Sequence, residues 1–271
     1  MTTMTIKNIF AILTLLLCSV YNYAQTHHVL IHTNMGDMKV VLFDDTPKHR
    51  DEFLRLVRAK HFDGTLFYRC VKNFVIQGGS SDSRNAQPGQ HIGYGTDAVN
   101  IDSEFTKKHF HQFGALCAPR QPDKINMLKF SDISQFYIVR GRTYPDSILD
   151  KMELAVNLPI KSKLRKTYYL PQKEKLLQLK AEGKAKEYNA LVTEIKERME
   201  YEYRISDYKE FTPEQRETYT QRGGTPELDG EYTVFGQVIE GFDVIRKINN
   251  LKVDKNDRPL TDVKITITII D

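Results

Sequence analysis

Residues 67–79 (FYRCVKNFVIQGG) combine one cation with apolar and amide side chains, and they are the first candidates for chemistry in this sequence. A guanidinium such as that of Arg69 is a cationic donor, so it can stabilise charge that develops on a substrate. The competing interpretation is an arginine in a surface salt bridge, which is the default for a single arginine. The surrounding pattern must decide between the two.

Two histidine pairs, His27-His28 and His109 with His111, raise the question of a metal site. Neither pair has companion Cys, Asp and Glu residues at ligand spacing, so surface histidines are the preferred interpretation. Residues 93–95 (GYG) lack the lysine and the helix start of a phosphate loop. We therefore predict no metal and no cofactor.

The elements that must position residues 67–79 are mostly short strands. Helical spacing predicts one helix at about 47–59, after Thr46-Pro47, and another at about 242–249. Many short strands with few helices favour a closed β-barrel, so the predicted fold class is mainly β. Alternation predicts the strands at 29–33, 38–43, 66–77 (two strands joined at Lys72-Asn73), 114–118, 134–139, 232–239 and 263–270.

Residues 143–222 differ in composition from the rest of the chain. They are rich in Lys and Glu, poor in Gly and without strand alternation, which predicts a helical insertion. A first helix would use apolar residues near 148–152. A long helix over 172–204 would be weakened or divided at Gly183, and a third would begin at the capping-box pattern of residues 212–215.

The first 25 residues predict a signal peptide. Lys7 gives a short positive region, and residues 9–20 (IFAILTLLLCSV) form an apolar run that is too short to span a bilayer. The mature protein would then lie in the periplasm or cell envelope, after export across the inner membrane. Lipid attachment at Cys18 is the less favoured alternative, because Leu17 replaces the small residue expected before such a cysteine.

The charge balance argues against a nucleic-acid partner. The net charge is only +4, from 39 basic and 35 acidic residues, so no dominant basic surface is expected. No segment beyond residue 25 is apolar enough to cross a membrane, which predicts no integral span in the mature chain. Cys70 and Cys117 could pair in an oxidising envelope, but two buried thiols are the favoured interpretation.

The sequence resembles the cyclophilin signature, in which an aromatic-x-Arg strand is followed by Phe-x-x-Gln-Gly-Gly. The resemblance covers about 29–142 and 223–271, close to the size of a complete single-domain cyclophilin. It implies an eight-stranded antiparallel closed barrel capped by two helices, a discontinuous domain made by residues 26–142 and 223–271. The matching segments, in the order the family requires, are 67–79, 114–116 (GAL), 134–138 (SQFYI), 228–230 (LDG) and 234–236 (VFG).

The resemblance implies a peptidyl-prolyl cis-trans isomerase that acts on proline-containing unfolded polypeptides and assists the folding of envelope or secreted proteins. Rotation about an X-Pro amide is opposed by a barrier of about 18–20 kcal/mol. In the twisted state the prolyl nitrogen recovers its lone pair, so a fixed cationic donor stabilises that state more than the planar one. Arg69 is the predicted donor, with no covalent intermediate, and we expect a monomer.

The substrate-binding residues are also implied by the resemblance. A slot that grips the proline ring would be lined by four side chains, those of Phe74, Val75, Tyr137 and Leu228, whereas Phe136 would belong to the core. The residues expected to contact the substrate backbone, to hold Arg69 or to form the edge of the slot are Gln77, Pro119, Arg120, Gln135 and Tyr232.

Several positions depart from the common cyclophilin pattern. Tyr68 and Tyr232 stand where histidines are often found, and Val75 and Tyr137 stand where methionine and phenylalanine are common. Pro119 removes a potential backbone donor. A non-catalytic module that holds client polypeptides is therefore the alternative function. The helical insertion could add binding surface for unfolded polypeptide or could be a self-packed solubilising bundle, and both interpretations stay open.

Overall fold

The computed structural model describes residues 27–95 and 97–270. These residues divide into two compact units. The first contains the residues through 109, residues 114–138 and the residues from 230 onward, and the second contains residues 110–113 and 139–229. The predicted signal peptide and the alternative lipid site at Cys18 lie outside the described residues.

Eight strands of the first unit make one curled antiparallel sheet, in the order β10-β1-β2-β9-β6-β8-β4-β3, and β5 pairs separately with β7. The eight-stranded sheet predicted from the sequence is thereby confirmed. The strands are β1 (His28–Thr33), β2 (Gly36–Leu42), β3 (Phe67–Val71), β4 (Val75–Gly78), β5 (Asn100–Ile101), β6 (Ala115–Cys117), β7 (Ser131–Asp132), β8 (Phe136–Val139), β9 (Val234–Glu240) and β10 (Ile265–Ile269).

The end strands β3 and β10 meet at one isolated bridge, between Leu66 and Lys264, rather than along a continuous ladder. The Phe67 amide donates to the Val263 carbonyl at 2.9 Å beside this bridge. The bridge lies just before the first residue of each strand, and the two strands then extend from it in opposite directions. Few residues of β3 therefore lie opposite residues of β10. The barrel is therefore open along most of this line, where a closed barrel was predicted.

Both helices predicted for the barrel part are present. Helix α1 (Pro47–Arg58) has Pro47 at its first position and packs against β9 and β10, while α6 (Phe242–Asn249) packs against β2, β3 and β4. No helix within residues 27–95 and 97–270 is long and apolar enough to span a bilayer. The helices are α1 (Pro47–Arg58), α2 (Asp146–Leu164), α3 (Lys173–Ala181), α4 (Ala185–Arg204), α5 (Pro213–Gln221) and α6 (Phe242–Asn249).

The core of the first unit is built around aromatic rings. Phe136 on β8 is fully buried, and its ring lies edge-on to Phe62 at 5.5 Å and to Phe67 at 5.7 Å between centroids. Phe53 on α1 contacts the same ring at 5.9 Å. Such edge-to-face pairs add to the burial of apolar area. The assignment of Phe136 to the core is confirmed.

The two cysteines of the described chain are buried thiols, so the favoured interpretation is confirmed and the disulfide alternative is wrong. Burial raises the pKa of the Cys70 thiol to about 12, and the Asp257 carboxylate acts in the same direction. A thiol in this state has little thiolate to react with oxidants at neutral pH.

The second unit is helical, as its composition predicts. The first helix extends to Leu164 and continues through a π-helical segment (Arg165–Tyr169), so it is longer than the segment 148–152 that suggested it. The predicted long helix is divided between α3 and α4 at Gly183, whose φ of +68° suits glycine. Helix α5 begins with the predicted capping box of Thr212 and Gln215. The unit has its own buried cluster, formed by Phe110, Tyr144, Leu149 and Tyr219.

His49 on α1 is a fully buried titratable group of the first unit. Its Nδ1 lies 2.7 Å from Glu104 Oε2, whereas its Nε2 is buried without a hydrogen-bond partner among the described residues. Burial lowers the pKa of His49 below its ordinary 6.5, and the Glu104 carboxylate offsets this effect only in part. His49 is therefore held neutral in the folded state.

We expect the protein to lose stability as the pH falls below about 6.5, because the unfolded chain binds a proton at His49 that the folded chain resists. Thermal unfolding measured from about pH 7.5 down to about pH 5 should show a falling Tm, and His49→Gln should flatten that dependence. The exposed His91 provides the control, since His91→Gln should keep the wild-type slope. An unchanged slope in His49→Gln would contradict the assignment.

Candidate active site

A β-bulge in the β3–β4 hairpin decides which way Arg69 points. Phe67 lies opposite Gly78 and Arg69 lies opposite Gln77, so Tyr68 is an extra residue on β3. Cys70, the next residue, is buried. Because directly opposed residues share a face, the bulge puts Arg69 beside Gln77 on the face away from the core.

Among the described residues the Arg69 guanidinium has two partners, and it remains accessible. Its Nη1 donates to Gln77 Oε1 at 3.5 Å, and its Nε lies 3.8 Å from Asp257 Oδ2. The Arg69 side chain is 40% exposed, so the interaction with Asp257 is screened and weak. These contacts orient the guanidinium while leaving it able to approach a ligand.

The Tyr68 hydroxyl is the centre of a hydrogen-bond chain that ends at Arg69. It accepts from Gln77 Nε2 at 2.7 Å and donates to Gln135 Oε1, and Gln135 Nε2 donates to Asp132 Oδ2 at 2.9 Å. Burial raises the pKa of Tyr68 well above its ordinary 10, so the hydroxyl keeps the proton that it donates. Gln77 thus contacts Arg69, as the sequence suggested, whereas Gln135 is connected to Arg69 only by way of the Tyr68 hydroxyl and Gln77 among the described residues.

Tyr137 and Tyr232 form an aromatic corner in the first unit. Their ring centroids are 6.0 Å apart and the rings are nearly perpendicular, at 85°. Tyr137 follows Phe136 along β8, so their side chains point to opposite faces of the sheet. The corner therefore lies on the face away from the aromatic core.

Phe74 and Val75 stand at the tip of the β3–β4 hairpin. The Phe74 amide donates to the Val71 carbonyl at 3.1 Å, which closes the turn and leaves the Phe74 side chain half-buried. Val75 is 3% exposed and shares a face of β4 with Gln77, because side chains alternate along a strand. Both residues are thus placed on the hairpin that carries Arg69.

Arg120 is committed to partners within the protein. Its Nε donates to the Glu231 carbonyl at 2.7 Å, its Nη2 to Glu231 Oε2 at 3.1 Å, and its Nη1 to Asp123. Its guanidinium carbon lies 4.8 Å from the centre of the Tyr232 ring. The carbonyl of the neighbouring Pro119 accepts from the Asp132 amide at 2.8 Å. The Arg120 side chain thus joins Glu231 and Asp123 to the aromatic corner, and substrate contact by Pro119 and Arg120 stays a prediction.

Leu228 belongs to the second unit, where it ends a 3-10 turn (Pro226–Leu228) and is half-buried. The next residue, Asp229, accepts from both the amide and Nδ1 of His111 at 2.9 Å and from the Tyr219 hydroxyl at 2.6 Å. The role of Leu228 in the slot stays a prediction.

The histidines of the second pair are not surface residues, so that interpretation was wrong. His111 is fully buried against Asp229, and His109 is stacked on Phe43 with centroids 3.7 Å apart and bonded to Asp45 at 2.6 Å. The hydrogen-bond and stacking partners of these histidines could not be found from local sequence spacing, because they come from distant segments of the chain. Residues 27–95 and 97–270 contain no group of three or more His, Cys, Asp or Glu side chains that could hold a metal.

Three further side chains shape the site beyond those that the sequence indicated. Asp257 contacts Arg69, Asp132 ends the hydrogen-bond chain, and the Tyr68 hydroxyl joins its two halves. The sequence shows Tyr68 as a departure from the family pattern, but the hydrogen bonds of its hydroxyl depend on the bulge and could not be predicted. Asp132 and Asp257 carry no signal in the sequence.

Solved structures with a similar fold include the cyclophilin type peptidyl-prolyl cis-trans isomerase of Cryptosporidium parvum. It matches with a TM-score of 0.51 and 21% identity, covering 91% of this chain and 98% of that chain. A structure of the same protein in the presence of the dipeptide Ala-Pro matches with a TM-score of 0.50 and 20% identity, covering 90% and 99%. At these identities the similarity concerns the fold alone.

Bacterial relatives align along most of the chain. A Staphylococcus saprophyticus protein described as a "Putative peptidyl-prolyl cis-trans isomerase" is 28% identical over 245 residues, which is 90% of this chain and 91% of its own. Relatives with the same description from Staphylococcus epidermidis and Staphylococcus aureus are 28% identical over 238 residues, with 88% of each chain covered.

The family model described as "Cyclophilin type peptidyl-prolyl cis-trans isomerase/CLD" matches residues 28–155 and 211–269, well over half of the chain. The match includes the bulged hairpin with Arg69 and the aromatic corner. The segment that it leaves between its two parts lies within the helical region predicted as an insertion. The chain therefore belongs to the cyclophilin-type peptidyl-prolyl cis-trans isomerase family.

Proposed function

We propose that Arg69 stabilises the twisted X-Pro amide and that this is how the protein isomerises proline-containing polypeptides. The observation that carries the proposal is the bulged hairpin, on which the partly exposed Arg69 guanidinium is oriented by Gln77 and Asp257. The prolyl nitrogen becomes basic only as the amide loses its planarity. A donor placed there binds the transition state more strongly than the ground state, with no covalent intermediate.

The apolar surface that would hold the proline ring is supplied by the face of the sheet that carries the aromatic corner. Tyr137 and Tyr232 give an aromatic wall against which a proline ring can pack, and the half-buried Phe74 presents apolar surface at the hairpin tip. Val75, which is 3% exposed, is proposed as an almost fully buried part of the slot lining. Burial of the ring holds it while the preceding carbonyl turns. Leu228 is the remaining residue proposed for this slot.

Tyr68 is proposed as a positioning residue for Gln77 and, through it, for Arg69. We expect Tyr68→Phe to lower kcat for a proline tetrapeptide by about tenfold while changing KM little, because the amides of Gln77 and Gln135 lose a partner. Tyr68→His, which restores a donor and an acceptor, should recover part of kcat. Tyr94→Phe at an exposed position should behave as wild type, and a wild-type kcat in Tyr68→Phe would refute the role.

The proposed biological role is assistance to folding in the cell envelope. Its support is the apolar run of residues 9–20, typical of a signal peptide, which would send the protein across the inner membrane as a monomer, with lipid attachment at Cys18 as the less favoured outcome. In this proposal residues 26–142 and 223–271 form the barrel domain and residues 143–222 form an insertion. Proline-containing unfolded segments of exported proteins would be the substrates.

A second candidate function is a non-catalytic module that holds clients. It is favoured by large apolar side chains on the helices of the second unit that are more than half exposed, namely Leu154, Leu158 and Leu177. A coupled peptide assay of wild type and Arg69→Ala separates the two functions. Wild-type turnover that is lost in the variant supports the enzyme, and no turnover in either supports the holding module.

A further inference from the structure

A ten-residue loop of the first unit, here called the 121–130 loop, carries three strongly exposed apolar side chains. Ile125 is 75% exposed, Met127 85% and Leu128 73%. Its two ends are held together by the bond from the Asp132 amide to the Pro119 carbonyl, at 2.8 Å. Single exposed apolar residues are ordinary, but three within four positions at one loop tip form a patch that is expected to contact something.

The loop is ordered by its own hydrogen bonds. Asn126 Nδ2 donates to the Phe130 carbonyl at 2.8 Å, and the Phe130 amide donates back to Asn126 Oδ1 at 2.9 Å. The Ile125 amide also donates to the Pro122 carbonyl at 3.0 Å. A tip that is fixed in this way loses little conformational entropy on binding, which is what an apolar contact surface needs.

The base of the loop is joined to the aromatic corner. Arg120 bonds to Asp123 and to Glu231, and Lys129 at the other end of the loop bonds to Glu231 as well. The same Arg120 guanidinium covers the Tyr232 ring. The apolar tip is therefore attached to one wall of the proposed proline slot.

The charges of the loop favour an apolar polypeptide over an anionic lipid surface. Asp123 is paired with Arg120 and Lys129 is paired with Glu231, which leaves Lys124 as the exposed basic residue beside the tip. Segments that bind anionic lipid combine apolar residues with several unpaired basic ones. The tip thus offers apolar contact with little electrostatic attraction.

We propose that Ile125, Met127 and Leu128 dock apolar side chains of the polypeptide substrate, several residues away from the proline in the slot. This inference rests on the proposed function and adds a substrate class to it, namely unfolded chains with apolar residues near the proline. A tetrapeptide is too short to use the tip, whereas an unfolded protein chain can occupy both places at once. The loop is then a specificity element that lowers KM for long substrates.

The test is the triple variant Ile125→Ser/Met127→Ser/Leu128→Ser, whose changes are all at exposed positions. We expect kcat/KM for the refolding of a protein limited by one X-Pro isomerisation to fall about tenfold through KM, from the lost apolar burial. Turnover of an Ala-Ala-Pro-Phe tetrapeptide should stay at the wild-type value. Leu260→Ser, at a position that is 67% exposed in the same unit, should alter neither rate.

A binding measurement separates failure of this inference from failure of the proposed function. Anisotropy of a fluorescently labelled, permanently unfolded protein chain should show about tenfold weaker binding to the triple variant, whether or not the protein turns over substrate. Equal binding by wild type and variant, or an equal loss of turnover for long and short substrates, would overturn the inference. Sedimentation with phosphatidylglycerol vesicles that depends on the three residues, without any change in polypeptide binding, would assign the loop to a membrane instead.

Discussion

Arg69→Ala is expected to lower kcat for a proline tetrapeptide by about 10²–10³-fold, with KM changed only slightly, because the guanidinium acts on the twisted state. The loss should not come from unfolding, since the side chain is 40% exposed and its contacts at 3.5 Å and 3.8 Å are weak. Coupled peptide turnover over a range of substrate concentrations gives both constants, and the melting temperature should match that of wild type.

Two further variants make this measurement specific. Arg69→Lys keeps the charge but loses the planar fork of donors, so we expect it to recover only part of the activity. Asp257→Asn removes the exposed partner of Arg69 and should change kcat by less than about threefold. Wild-type turnover in Arg69→Ala would mean that this guanidinium is not the catalytic donor.

Phe136→Ala is expected to lower the free energy of unfolding by about 3–5 kcal/mol, which is a large part of the stability of an ordinary domain. The ring is fully buried and contacts Phe53, Phe62 and Phe67, so its removal leaves a cavity that these rings cannot fill without losing their edge-to-face geometry. The change is measured by denaturation with guanidinium chloride, monitored through the circular dichroism of the sheet in the first unit.

The adjacent residue on β8 provides the matched comparison. Tyr137→Phe keeps the ring that packs at 6.0 Å against Tyr232, so it should cost less than about 1 kcal/mol of stability. If Phe136→Ala costs no more than Tyr137→Phe, then the two faces of β8 have been assigned the wrong way round.

Those two faces could be assigned from the sequence because alternation along a strand is strict. The same rule fails two strands away in the sheet, since the bulge at Tyr68 adds a residue to β3 and nothing in residues 67–71 indicates it. Counted from the buried Phe67, alternation would put Arg69 on the buried side of the sheet. The family resemblance supplied Arg69 as the candidate residue, but the reason for its orientation is visible only in the paired register.

The other differences between the sequence-based predictions and the structure come from contacts between residues that are distant in the sequence. The sequence does not indicate that Arg120 is bonded to Glu231, and His111 looks like a surface residue until Asp229 covers it. Gly183 could be recognised as a weak point in a long helix because glycine disfavours helix locally. Local preferences were thus predictable, and contacts between segments more than a hundred residues apart were not.

The pairing of β1 with β10 joins residues 29–33 to residues 265–269. A nascent chain cannot make these bonds until residues 265–269 have left the ribosome, so β1 waits for more than 230 later residues before its pairing with β10 can form. The sheet is therefore completed late, after the strands between β1 and β10 have been synthesised.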